Sequence, residues 1–121
     1  KSQKLTNDLK VLLDYINKKF NSDFNGILVN KYLKGTDYIS RHSDDETGLS
    51  NVGVLAISYG AVRKFRIRDK ETKKIVKDIP TLSNKIIHMG GEFQKEFTHE
   101  IPIEKKVRNV RWSFTFRKHL I

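Results

Sequence analysis

Apolar side chains recur every three or four residues near the start of the chain, and every second residue through much of the remainder. Leu5, Leu9, Leu12, Leu13, Ile16 and Phe20 would share one face of a helix over residues 5–20. Thr6 or Asn7 can cap its start, and Lys18-Lys19 suits the negative end of its dipole. After Asn25-Gly26 the spacing changes to that of strands, expected over 27–33, 52–59, 64–68, 75–79, 86–89, 96–101 and 112–117. Short strands after a single helix predict a mainly β fold. The leading candidate is a double-stranded β-helix (jelly roll) with the N-terminal helix packed on the sheet. With no repeat and no linker, residues 1–121 read as one domain, the helix in 1–23 and the jelly roll in 24–117.

Two strands alternate most sharply. Lys64, Arg66 and Arg68 face one way and Phe65 and Ile67 the other, which makes either a phosphate-facing ribbon or a solvated sheet face. In the last strand Trp112, Phe114 and Phe116 share one face, and Arg111, Ser113, Thr115 and Arg117 the other. If the polar face lined a barrel interior, two guanidinium groups would be buried, which is costly without an anion. A dicarboxylate would supply one, in the bidentate geometry that suits Arg. The alternative is an edge strand with both Arg side chains in water.

Charge widens the picture. The chain carries a formal net charge of +10, which favours a polyanionic partner: nucleic acid first, an anionic membrane second, or none for a merely soluble basic protein. No apolar run approaches the roughly 20 residues of a membrane span. The absence of Cys rules out disulfides and thiolate metal sites.

The remaining chemistry sits in His, carboxylate and amide positions. His42 and Asp44, two residues apart, would point the same way in extended chain, and His99 falls on another predicted strand. Two His and one carboxylate can form a facial triad that leaves positions open on Fe(II). A His-x-Asp pair alone is common and proves little. His88 and His119 have no such partner pattern. Asn30 and Tyr32 form a second pair able to donate hydrogen bonds to a carboxylate.

Taken together, these residues resemble the AlkB family of Fe(II)/2-oxoglutarate dioxygenases. The pieces are Asn30-Lys31-Tyr32, Gly35-Thr36-Asp37-Tyr38-Ile39, His42-Ser43-Asp44-Asp45-Glu46, Ser58-Tyr59-Gly60 with Arg63 and Phe65, Met89-Gly90-Gly91 with Gln94, His99-Glu100-Ile101-Pro102, and the closing Arg111-x-Ser113-x-Thr115-Phe116-Arg117. The resemblance implies that His42, Asp44 and His99 bind Fe(II). It implies that Arg111 takes the distal carboxylate of 2-oxoglutarate, Arg117 sits at the keto-acid end, and Asn30, Tyr32 and Ser113 complete the contacts. Many members have Asn where Ser113 stands. Glu46, with Asp45 beside it, matches an acidic position that can meet the target base. Lys64, Arg66 and Arg68 would face its strand.

The implied reaction uses O2 and 2-oxoglutarate to hydroxylate an alkyl carbon on a base nitrogen, as in 1-methyladenine or 3-methylcytosine. Succinate, CO2 and an aldehyde are released. An extruded or unpaired base is required, so single-stranded DNA or RNA is the cheaper substrate. Cellular family members carry a nucleotide-recognition lid ahead of the core. Only about 24 residues precede the matched region here, so the expected lid is short, absent or cut away. The expected protein is a monomer inside the cell, without a membrane role, and its compact core and Lys/Asn/Ile-rich composition hint at a viral or phage source. The rival readings are the same chemistry on a protein or lipid, and a non-catalytic nucleic-acid-binding barrel that stacks bases on Tyr38 or Tyr59.

Overall fold

The computed structural model describes residues 6–43, 53–90 and 93–119. It opens with α1 (Asn7–Phe20) and continues through β1 (Gly26–Tyr32), β2 (Ile39–His42), β3 (Val54–Gly60), β4 (Lys64–Asp69), β5 (Ile75–Pro80) and β6 (Ile86–Met89). A one-turn helix α2 (Phe93–Glu96) then precedes β7 (Phe97–Ile101) and β8 (Arg111–Arg117). The strands divide into two antiparallel sheets, β1-β8-β3-β6 and β2-β7-β4-β5. The chain crosses between them repeatedly, as a jelly roll requires.

Helix α1 forms where the apolar spacing placed it. The Thr6 hydroxyl accepts from Leu9 N at 3.3 Å, and Asn21 ends the helix in the left-handed region with φ 49°. Asn17 then ties the helix to the sheet: its amide donates to Phe24 O (2.9 Å) and its Oδ1 accepts from Phe24 N (2.8 Å). Ile16, with Leu12 and Leu13, packs on the outer face of the first sheet against Phe24, Leu55, Ile57 and Phe116. Phe116 is fully buried at 0% exposure.

The second core lies between the sheets, where Tyr32, Val54, Ala56 and Met89 meet Phe65 and Ile101. Alternation on β4 therefore works as its sequence suggests: Phe65 is buried and Lys64 exposed. At the closed end, Gly35 sits where the loop after β1 crosses the loop after β7. Gly35 N donates to Val107 O (2.8 Å), Glu104 N donates to Gly35 O (2.9 Å), and a Cβ at Gly35 would run into the Glu104 carbonyl. Arg63, 1% exposed, clamps the same two loops through the carbonyls of Asp37 and Pro102, both at 2.8 Å.

Two elements lie outside the expected set. β2 has one apolar residue in its four and is held by pairing with β7, with an irregularity between Ile39 and His42. α2 is a single turn whose Phe93 packs under the second sheet.

Candidate active site

β8 builds one wall of a cavity of about 250 Å³ between the sheets. Its register sets the rows: Tyr32 lies opposite Arg111, Asn30 opposite Ser113, and on the other side Ser58 opposite Ser113 and Ala56 opposite Thr115. Successive side chains of a strand point to opposite faces. The polar residues of β1, β3 and β8 thus turn inward, while Phe114 and Phe116 turn out beneath α1. The expectation that the polar face of the last strand lines a barrel interior holds.

Arg111 is the dominant feature of that wall. It is 2% exposed, and its guanidinium lies over the Tyr32 ring at 4.9 Å. Nη2 donates to Ser58 Oγ at 2.9 Å, whereas Nε and Nη1 are buried with no hydrogen-bond partner. Burial holds the guanidinium below the usual arginine range and raises the Tyr32 phenol above its own, the latter opposed by the positive charge of Arg111. A buried cation with unused donors is expensive, and an anion in the cavity would relieve that cost.

The opposite wall carries imidazoles. His42 at the end of β2 pairs in register with His99 on β7, and their ring centroids are 4.2 Å apart. His42 Nδ1 lies 2.9 Å from Ser40 O. A carbonyl can only accept, so Nδ1 is the donor in this contact, the arrangement in which a neutral imidazole would ligate a metal through Nε2. His99 stacks on Phe65 at 5.3 Å and 13°, with Phe93 at 6.0 Å. Two facing imidazoles with a carboxylate two residues beyond one of them fit the donor set of Fe(II). That carboxylate, Asp44, lies outside the described residues, as do Asp45 and Glu46.

The cavity thus gathers Asn30, Tyr32, His42, His99, Arg111, Ser113 and Arg117. It does not gather Lys64, Arg66 and Arg68. Arg66 pairs with Asp78 through both carboxylate oxygens (2.9 and 3.1 Å), and Arg68 with Glu100 at 2.6 Å. Two further residues carry no role in the sequence reading: Ser58, which meets Arg111, and Arg63, the loop clamp.

The chain belongs to the 2OG-Fe(II) oxygenase superfamily, whose sequence model matches residues 1–117. Among curated proteins it is similar to the human DNA oxidative demethylase ALKBH2, 31% identical over 121 residues that cover 93% of this chain and 46% of the relative. It is similar also to the human alpha-ketoglutarate-dependent dioxygenase alkB homolog 3, 31% identical over 118 residues covering 90% and 41%. The Arabidopsis thaliana ALKBH2 is 30% identical, with 90% and 42% covered. The chain spans less than half the length of these relatives.

Proposed function

We propose that this chain is the core of an oxidative demethylase that removes alkyl groups from nucleic-acid bases, using Fe(II), 2-oxoglutarate and O2. The observation that carries this reading is one cavity lined on one side by facing His42 and His99 and on the other by Arg111, whose buried Nε and Nη1 lack partners. The names of the relatives and the net charge of +10 support a nucleic-acid substrate.

His42, His99 and Asp44 hold the metal. Bound iron with its co-substrates supplies the oxidising chemistry that hydroxylates the alkyl carbon. Arg111 binds the far carboxylate of 2-oxoglutarate, with Asn30, Tyr32 and Ser113 on the same wall. Arg117, six residues along β8 and so roughly 20 Å away at the backbone, reaches into the cavity from the other end and holds the near carboxylate. A short diacid between two guanidinium groups places its keto-acid end toward the imidazoles. Phe65, Met89 and Ile101 keep water from the reacting centre. Glu46 and Asp45 meet the base, and Lys64, Arg66 and Arg68 face the strand. Single-stranded substrate, a monomeric state and an intracellular location complete the reading.

The test is succinate formation with Fe(II) and 2-oxoglutarate, with and without a single-stranded oligonucleotide bearing 1-methyladenine. Stimulation by the methylated strand, together with its demethylation, is the expected result. Turnover indifferent to the strand would remove the nucleic-acid assignment, and absence of turnover with any substrate would remove the enzyme. His99→Ala should abolish both turnover and Mn(II) binding.

A further inference from the structure

We propose that Ser58 is a positioning residue that selects the dicarboxylic acid by fixing how the Arg111 guanidinium is turned. The inference rests on the co-substrate reading above and goes beyond it, because it concerns what makes Arg111 able to read a carboxylate.

A planar guanidinium needs two constraints. Its plane must be set, and so must its rotation within that plane. The Tyr32 ring, 4.9 Å away, supplies the first through its π face, with a further pull toward its phenol. The second comes from Ser58, whose Oγ accepts from Nη2 at 2.9 Å. Ser58 is 3% exposed and lines the cavity. It reaches Arg111 diagonally across the sheet, since its directly opposed partner on β8 is Ser113. With Nη2 anchored, Nε and Nη1 become donors of fixed direction and no present partner. Arg recognises carboxylates through forks of two parallel N–H groups, here the second Nη2 hydrogen together with its neighbour on Nε or on Nη1. A hydroxyl that accepts can still donate, so Ser58 also retains a proton for the same carboxylate.

The hydroxyl has no evident structural duty. β3 and β8 are already joined by a full backbone ladder from Leu55–Phe116 to Gly60–Arg111, which does not involve the side chain. A merely structural Ser58 would affect all ligands alike. A positioning Ser58 would affect only ligands with a second carboxylate.

The experiment measures equilibrium binding to Mn(II)-loaded protein by calorimetry, comparing 2-oxoglutarate with pyruvate, which keeps the keto-acid end and lacks the distal carboxylate. Ser58→Ala should weaken 2-oxoglutarate about tenfold to a hundredfold, the weight of a hydrogen bond to a charged group, and leave pyruvate within about twofold. Unchanged pyruvate binding also reports that the variant is folded. Ser58→Thr should restore affinity and Ser58→Val, of similar volume without a hydroxyl, should not. Equal weakening of both acids, or equal behaviour of Thr and Val, would overturn the proposal while leaving the co-substrate reading in place. Wild-type protein that binds pyruvate and 2-oxoglutarate equally would overturn both.

Discussion

The two sheets share an inner core but cover their outer faces differently. The first, β1-β8-β3-β6, mixes polar side chains with Tyr32, Val54, Ala56 and Met89 on its inner side and keeps an apolar outer side, which α1 covers with Ile16, Leu12 and Leu13. The second, β2-β7-β4-β5, does what most half-exposed sheets do: Phe65 and Ile101 point in, and its outer face carries the ion pairs Arg66–Asp78 and Arg68–Glu100. The polar residues set into the inner face of the first sheet are what make a site. A sheet whose inner face were wholly apolar would close on its partner as a dry core. Here Asn30, Ser58, Arg111 and Ser113 hold open a polar cavity, and the helix supplies the hydrophobic burial that this arrangement gives up.

If that division is right, the largest effect belongs to the cavity wall. Arg111→Ala should lower kcat/KM for 2-oxoglutarate by about a hundredfold or more, the usual consequence of removing one partner of a buried charge pair. Its melting temperature should stay close to that of the parent, because the unliganded protein loses a poorly satisfied buried cation. A variant that turned over normally would show that the anion sits elsewhere. Next comes the covered outer face. Phe116→Ala should cost about 3–5 kcal/mol in urea denaturation, since Phe116 sits in the cluster that joins the sheet to α1. A loss below about 1 kcal/mol would mean that the helix contributes little to the first sheet.

Legibility from the sequence follows the same division. The strands of the second sheet announce themselves where one face is wet, as in the alternation of β4. β8 is readable for a different reason: its polar and aromatic positions alternate, although most of both faces is covered and only Trp112 is exposed, and the family resemblance implies which side carries the chemistry. β3 shows the limit. Val54 to Ser58 are all buried, so the sequence offers a continuous run with nothing to mark which side chains turn inward. Ser58 acquires its role only from register, opposite Ser113 and within reach of Arg111. Arg63 is quoted in the family resemblance, but its role is not legible there, since partners such as Asp37 O and Pro102 O are loop carbonyls that carry no side-chain signal. β2 escaped because its pairing with β7, rather than any pattern of its own, makes it a strand. Asn30, Tyr32, His42, His99, Arg111, Ser113 and Arg117 could be named in advance because their residue types are tied to a chemistry as well as to a position.

The smallest effect is expected on the outer face of the second sheet, and it has a definite sign with pH. The hydrogen bond from Arg66 holds the Asp78 carboxyl below its ordinary range, against a smaller opposing effect of burial. A carboxyl lowered in the folded state adds stability above its unfolded value, and that stability fades as pH falls through the unfolded value toward the folded one. Both partners are substantially solvated, so the contribution at neutral pH is at most about 1 kcal/mol and shrinks with salt. Asp78→Asn should therefore be slightly less stable than the parent at pH 7 and indistinguishable from it near pH 2, with 2-oxoglutarate affinity unchanged at pH 7. A change in that affinity would break the separation of the two faces. The same variant also releases Arg66 from its carboxylate and removes one negative charge from beside the ribbon. If Lys64, Arg66 and Arg68 face a nucleic-acid strand, oligonucleotide affinity should rise in Asp78→Asn and its salt dependence steepen. Unchanged affinity would place the phosphate contacts elsewhere and leave these ion pairs as the solvated exterior of an otherwise ordinary sheet.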